Sequence, residues 1–386
     1  MFAYGIFKVI YAPHKAFKEI IQDPKYFGPI LIMILFIAAN TAFAYTLLSR
    51  QYIEQTLPTA QQLDVWTENS TLWTSNGETP KNNYDDFING TYYGNSSIEF
   101  TVNDSNQVWM QLNDMGTVNC SEPDGYSSLY LRIKWTRPEE EPENVTIFLF
   151  SSTPSDYYFY YNLTENFSNS TVNVWNNLTI PLRENRLNNS LTASWGNITG
   201  IKLDFTWPES SNITILIDGL FFGGIFKSSL TNVVGDLLSY ALYAFAQFVI
   251  KWVILGGLLY MMTKAFGAKI LWRPVLIVVG FTLITMFIQA AINAATFSTL
   301  PTLYYRFDFM GGVSGESESA LTKILDEVGL VNQIYGYVQI AAYLWTMGLC
   351  VVATRFLTQF SWMKSFFIGA FSYFASILLV SMIFGI

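Results

Sequence analysis

The chain has 386 residues, of which 51% are hydrophobic, 17% aromatic and only 13% charged, with a formal net charge of −8. An ordinary soluble domain is nearer 25% charged, so a wholly soluble globular protein is excluded, and the acidic balance argues against a nucleic-acid partner. One histidine and two cysteines leave no Ser-His-Asp triad, no His-Glu-x-x-His zinc helix and no Cys/His metal cluster. No Gly-x-x-x-x-Gly-Lys phosphate loop is present either, and the expectation is a protein that is not an enzyme.

Residues 1–25 read as a cytoplasmic segment with an interfacial helix. Phe17, Ile20 and Ile21 fall on one helical face, with Lys15 and Lys18 elsewhere. His14 lies here without a catalytic partner. Residues 26–49 carry no charge and are long enough to cross a bilayer as a helix. A signal-peptide core is shorter and nearer the start, so this is transmembrane helix 1. Four further spans follow: 229–263, apolar through its centre apart from Lys251; 274–297; 331–354; and 365–386. The fold class expected is an integral membrane α-helical bundle of five transmembrane helices with an inserted extracellular all-β jelly-roll sandwich.

Lysine and arginine placement orients the bundle. Lys8, Lys15, Lys18 and Lys25, then Lys264, Lys269 and Arg273, then Arg355 and Lys364 all fall on one side of five spans. The 298–330 loop falls on the other and is acidic, with Asp308, Glu316, Glu318, Asp326 and Glu327. The N-terminus is therefore expected in the cytoplasm, 51–225 outside the cell, and the C-terminus at the outer face of the cell membrane.

Residues 51–225 are polar and rich in Asn, Ser and Thr. They hold Asn-x-Ser/Thr triplets at Asn69, Asn89, Asn95, Asn103, Asn119, Asn144, Asn162, Asn166, Asn169, Asn177, Asn188, Asn197 and Asn212, and the rest of the chain holds none. Such triplets accept N-linked glycans on exposed secreted surfaces, which agrees with the charge rule. Cys120 stands alone in this segment and Cys350 lies in a span, so no internal disulfide forms. Dense N-glycosylation without disulfides on an acidic surface fits an archaeal cell envelope.

The strand signals in this segment are SSIEFTV, QVWMQL, LYLRIKW, VTIFLF, DYYFYYNL, VNVWNNLTIPL, GIKLDFTW and NITILIDGLFF. They alternate or carry β-branched and aromatic residues, and Asn/Asp/Gly/Ser/Pro clusters separate them. The expectation is a β-sandwich, most simply a jelly roll. Trp73, Trp109, Trp135, Trp175, Trp195 and Trp207 and the DYYFYY run supply aromatics. Most belong to the core of a sandwich. In DYYFYY, Tyr157, Phe159 and Tyr161 oppose Tyr158 and Tyr160; the sequence leaves open which set faces out. Thirteen possible glycans argue against much bare surface.

The order SSLYLRIKW, VTIFLFSS, VWNNLTIPL and then ITGIKLDFTWPESSNITILIDGLFF resembles the galactose-binding-like jelly rolls of carbohydrate-binding modules, over 66–222. The resemblance implies glycan recognition through stacked aromatics. It also implies a structural Ca²⁺ held by Asp218 of the last strand, with Glu68 as its acidic partner, although Ca²⁺ takes six or more oxygens. The helical part is similar to the Yip1 domain family. The segments that carry this are YAPHKAFKEIIQDPKYFGPILIMILF, LLYMMTKAFGAKILWRPVLIVVGF and YLWTMGLCVVATRFLTQFSWMKSFFIG. The large insertion after the first span departs from that family, so its trafficking role is not carried over.

Lys251 sits midway in its span, where a cation costs about 2.5–3.5 kcal/mol unless it is paired or hydrated. Gln247 lies one turn away, and Asn40, Gln289, Asn293 and Gln339 are further polar residues in the spans. Two functions follow. The first is a non-enzymatic envelope protein that recognises glycan, surface-layer or partner protein through the jelly roll. The second is an accessory or scaffold subunit of a membrane complex or transporter, or a homo-oligomer, working through the polar centre around Lys251. In both, the lipid bilayer is a partner.

Overall fold

The computed structural model describes residues 2–59, 61–151, 156–167, 170–183, 188–189 and 192–385. It divides into two compact units: Met1–Gln51, Ser228–Leu303 and Leu325–Ile386 form one, Tyr52–Lys227 and Tyr304–Ile324 the other. In chain order the helices are α1 (Phe2–Tyr11), α2 (Pro13–Gln22) and α3 (Phe27–Ser49). The single turn α4 (Thr164–Phe167) follows within the β segment. Then come α5 (Val233–Ala265), α6 (Trp272–Thr282), α7 (Ile284–Phe297), α8 (Glu316–Thr358) and α9 (Trp362–Phe384).

In the helical unit five helical stretches are long and apolar enough to cross a membrane: α3, α5, α6 with α7, α8 and α9. The stretch expected as one helix over 274–297 is two, with Leu283 between them at φ −75°, ψ 3°. Thr282 and Thr285 sit at this break, and their hydroxyls donate to the Val279 and Thr282 carbonyls. That bonding competes with the regular helix ladder and favours a bend. The fourth stretch begins at Glu316, well before the apolar run that marks it in the sequence. Phe36, Phe248, Ile277, Val278 and Tyr373 lie in one buried core. Gly369 of α9 lies against α8: a methyl there would come within 2.8 Å of the Val351 backbone nitrogen. Small residues at such crossings let helix backbones approach closely.

The β unit is built on β1 (Gln51–Leu57), β2 (Trp73–Ser75), β3 (Lys81–Asn83), β4 (Ser97–Leu112), β5 (Ser128–Arg137) and β6 (Asn144–Phe150). They are followed by β7 (Tyr158–Asn162), β8 (Asn176–Pro181), β9 (Asn188–Asn189), β10 (Gly200–Ser228) and β11 (Leu303–Tyr305). Two of them are long and run through both layers of the sandwich. The start of β10, from Gly200 to Thr206, lies between β4 and β6, and β7 and β9 continue that layer. The later part of β10 lies between the start of β4 and β5, and β3 and β8 flank them. One core fills the space between, containing Trp73, Phe100, Met110, Trp135, Ile147, Phe205 and Trp207.

SSIEFTV and QVWMQL, read as two strands, are thus the single strand β4, and GIKLDFTW and NITILIDGLFF are the single strand β10. The Asn103–Ser105 and Pro208–Asn212 stretches carry turn-forming residues because the strands bend there. Asp104 adopts a positive φ of 47°, the register shifts, and the Asp104 amide donates to the Asn212 side chain at 3.3 Å. A bulged pair of strands bends without ending. Residues 304–324, expected as part of a free loop, belong to this unit. Within it Glu54 accepts from the Phe307 amide at 2.6 Å and Tyr93 donates to the Gly311 carbonyl at 2.5 Å.

Candidate functional site

The layer formed by β4, the start of β10, β6 and β7 has one buried and one open face. Val108, Met110, Leu112, Ile201, Leu203, Phe205, Val145, Ile147, Leu149 and Phe159 point into the core. Alternation then places Gln107, Trp109, Gln111, Lys202, Asp204, Phe148, Tyr158 and Tyr160 on the other face, all but the exposed Gln107 half-buried. The register assembles them: Lys202 lies opposite Gln111 on one side and Phe148 on the other, Asp204 opposite Trp109, and Phe148 opposite Tyr160. The strip crosses three inter-strand steps, about 14 Å.

Contacts within the strip fix its side chains. The Lys202 ammonium lies 5.1 Å from the centre of the Trp109 ring and 5.6 Å from that of Phe148. Phe148 meets Tyr158 and Tyr160 at 5.5 and 6.1 Å between centroids. Asp204 accepts from the Gln107 amide at 2.7 Å and pairs with Lys202 at 3.4 Å. Flat ring surface thus lies beside one cation, one carboxylate and two side-chain amides. This is the mixture that binds a polyhydroxylated ring, with apolar faces stacked and hydroxyls hydrogen-bonded.

The question left open for DYYFYY is resolved by β7. Tyr158 and Tyr160 face the strip. Phe159 stacks inward on Trp195 at 3.7 Å and 11°, Tyr161 packs on the core, and Tyr157 is exposed at the strand's start. Trp73, Trp135 and Trp207 are buried core residues. Trp175 donates to Asp86 at 3.2 Å. Of the tryptophans singled out, Trp109 alone belongs to the strip. Lys202, Asp204, Phe148 and Gln107 join it without having been marked in the sequence.

Asn169 lies outside the described residues, as does the side chain of Asn188. At every other triplet the asparagine is exposed: Asn69, Asn89, Asn95, Asn103, Asn119, Asn144, Asn162, Asn166, Asn177, Asn197 and Asn212. At Asn69, Asn119 and Asn162 the side-chain oxygen accepts from the backbone amide two residues on, within the same triplet. Asn144 and Asn162 share the outward parity of Phe148 and Tyr160, at one end of the strip. Burial pushes the Cys120 thiol up to about 12, so it stays protonated.

Asp218 is buried, but Glu68 is not its hydrogen-bonded partner. Glu68 accepts from the Asn95 and Ser96 amides at 3.0 and 2.9 Å. The carboxyl beside Asp218 is that of Asp64, in the turn segment before Glu68. Asp218 also accepts from the Ile88 and Gly219 amides, each at 2.7 Å. Burial, followed by the nearby Asp64 carboxyl, pushes Asp218 up to about 9. Asp64 accepts from the Thr67 hydroxyl on one oxygen, while its other oxygen, also buried, has no hydrogen-bond partner. Two buried carboxyls and an unpartnered oxygen are hard donors that fit a divalent cation such as Ca²⁺ in charge and type. No group of three or more His, Cys, Asp or Glu stands ready to hold a metal among the described residues, so other oxygens would complete the set.

A second buried charge went unmarked in the sequence. Arg132 has no exposed surface, donates to Glu316 at 2.5 Å, and lies 4.9 Å from the Phe307 ring centre. Its Nε and Nη1 have no hydrogen-bond partner. Glu54 holds the same region together, accepting from the Tyr130 hydroxyl at 2.8 Å, and burial raises its carboxyl above the usual range.

In the helical unit, Lys251, Gln247, Gln289 and Asn293 line one cavity of about 420 Å³ together with Asn40 and Gln339. Helices α3, α5, α7, α8 and α9 contribute to it.

No family model matches the chain, and no curated protein matches it in sequence. Among solved structures, the family 11 carbohydrate-binding module from Clostridium thermocellum is 14% identical with a TM-score of 0.28, over 44% of this chain and 94% of that one. A family 30 carbohydrate-binding module of a cellulosomal cellulase from the same organism is 14% identical with a TM-score of 0.29, over 42% and 90%. A β-1,2-glucanase from Parabacteroides distasonis is 15% identical with a TM-score of 0.29, over 42% of this chain and 24% of its own length. This chain therefore spans about a quarter of the glucanase.

Proposed function

We propose that this chain is a non-enzymatic cell-envelope protein that displays a glycan-recognising β-sandwich on a five-helix membrane anchor. The observation that carries the reading is the strip of Trp109, Phe148, Tyr158 and Tyr160 with Lys202, Asp204, Gln107 and Gln111 on an open sheet face. The anchor spans the bilayer with the N-terminus in the cytoplasm, and the β unit lies outside the cell and carries N-linked glycans. Supporting this are the lysine and arginine placement, the five apolar helical stretches, and the exposure of each described triplet asparagine. Likeness to the Yip1 domain family and to galactose-binding-like jelly rolls belongs to the same reading. Asp64 and Asp218 would hold a structural Ca²⁺, whose charge would take the place of the proton that burial keeps on Asp218; the ion would brace the fold and take no part in sugar contacts.

The test is a screen of the full-length, natively glycosylated protein in neutral detergent against envelope polysaccharides and surface-layer glycans. Saturable binding that is lost in Trp109→Ala and Tyr160→Ala supports the reading. Binding that survives both substitutions places recognition elsewhere.

The cavity around Lys251 favours a second reading, an accessory subunit of a membrane complex. Loss of cellular function in Lys251→Leu, with function intact in Trp109→Ala, would select it over the first.

A further inference from the structure

The helical-unit cavity has a one-sided chemistry. Its lining includes one ammonium group, several side-chain amides and tyrosines, and no carboxylate. Lys251 stands 5.7 and 5.8 Å from the ring centres of Tyr343 and Tyr373. Those rings supply cation–π attraction, but no counter-charge pairs with the ammonium among the described residues. Tyr343 accepts from the Gln339 amide at 2.8 Å, which leaves its own hydroxyl proton to donate. Asn293 is only 6% exposed, and its buried side-chain oxygen has no partner. The cavity therefore presents a cation without a counter-charge, amide and hydroxyl groups that can donate, and one buried acceptor that lacks a donor.

Its position along the helices adds a direction. Lys251 is about 21 Å from the C-terminal end of α5, and Tyr243, also in the lining, is about 12 Å further toward the N-terminal end. On α8, Tyr343 and Tyr335 repeat that interval, and Asn293 lies one turn from the C-terminal end of α7. The cavity thus runs from mid-helix toward the ends that the charge distribution assigns to the outer side, with the cation at its mid-helix end.

We propose that this cavity binds an oxyanion that also carries a hydroxyl group, of the glycerophosphate type. The oxyanion sits at Lys251, where it accepts from the ammonium and the neighbouring amide and tyrosine donors; the hydroxyl donates to Asn293. A lipid headgroup entering from the outer leaflet and a small soluble phosphate ester share this chemistry. The inference uses the membrane placement of the helices and is independent of glycan recognition by the β unit.

The test uses the full-length protein in a neutral maltoside detergent, with melting followed during titration. The probes are glycerol 3-phosphate, inorganic phosphate, and mixed micelles of phosphatidylglycerol or phosphatidylcholine, with sodium chloride matching ionic strength. The expected result is a saturable rise in Tm with glycerol 3-phosphate or phosphatidylglycerol, and none with phosphatidylcholine or chloride. A response to the soluble ester identifies a soluble ligand; a response to phosphatidylglycerol alone identifies a lipid. Lys251→Met should weaken the apparent affinity at least tenfold, Lys251→Arg should retain it, and Asn293→Leu should remove the preference for glycerol 3-phosphate over inorganic phosphate. If Lys251→Met does not fold, the Asn293→Leu comparison and the wild-type probe series decide. No response to either hydroxylated probe, or an equal response in Lys251→Met, overturns the proposal.

Discussion

Replacing Asp64 by Asn should change how the stability of the β unit depends on pH. Burial and the neighbouring Asp64 carboxyl push Asp218 up to about 9 in the folded chain, from an ordinary 3.8. Between those values the folded state holds a proton that the unfolded state has released. The unfolded state therefore binds fewer protons, and stability falls as pH rises, by about 1.4 kcal/mol per unit. Below 3.8 both states are protonated and the effect is absent. From pH 5 to pH 7 the loss is on the order of 3 kcal/mol, or roughly 6–12 °C in Tm at 2–4 °C per kcal/mol for a domain of this size. In Asp64→Asn a neutral amide that can donate replaces the Asp64 carboxyl beside Asp218, so Asp218 is lowered while burial still holds it up, and its share of the slope shrinks. The remaining oxygen keeps the Thr67 hydroxyl bond. Burial also raises Glu54, which adds a slope of the same sign, so the quantity to compare is the difference between the two proteins. The assay is tryptophan-monitored thermal unfolding of the full-length chain in detergent with chelator, from pH 5 to 8. Calcium should flatten the wild-type slope and leave Asp64→Asn unmoved. Equal slopes for the two proteins in chelator would refute the reasoning.

Glu316→Leu leaves the buried Arg132 without its counter-charge and should cost about 3–5 kcal/mol. Arg132→Met combined with Glu316→Leu should recover most of that loss in the same melting experiment. Glycopeptide mass spectrometry should find Asn69, Asn119 and Asn162 occupied, because their side-chain oxygens are held within their own triplets. Asn177, whose amide donates to Glu316, should be bare. Gly369→Ala should lower the melting temperature of the helical unit, because its methyl meets the Val351 backbone. Gly336→Ala, in open space on α8, should leave the melting temperature unchanged or raise it, with a gain in stability of up to about 1 kcal/mol.

Strand positions were legible where alternation is strict, as in VTIFLF, whose buried and half-buried residues alternate as β6. The continuity of β4 and β10 was not, because bends and strand ends draw on the same Asn, Asp, Ser and Pro residues. The break at Leu283 is marked only by Thr282 and Thr285 in an uncharged run, and threonine is common enough in such runs that it does not by itself announce a bend. The start of α8 was hidden because absence of charge marks where a helix can lie in lipid, not where it begins. For the strip, the sequence gives the two parities of DYYFYY. Choosing between them needs the register of β7 on β6 and of β6 on β10, which is set by strands far apart in the chain. Asp64 had no periodic signal at all; it sits in a turn, and Asp218 alone makes it conspicuous.

Trp109 stands in the strip on the open sheet face, while Trp175 lies outside the strip and donates to Asp86. For the envelope glycan that the full-length protein binds best, the dissociation constant should be measured for Trp109→Ala and Trp175→Ala. Truncating a tryptophan at the centre of a binding surface costs about 2 kcal/mol or more. Trp109→Ala should bind at least about 30-fold more weakly, and Trp175→Ala should bind unchanged. Equal losses in the two variants, or no glycan bound by the wild type, would contradict glycan recognition by this face.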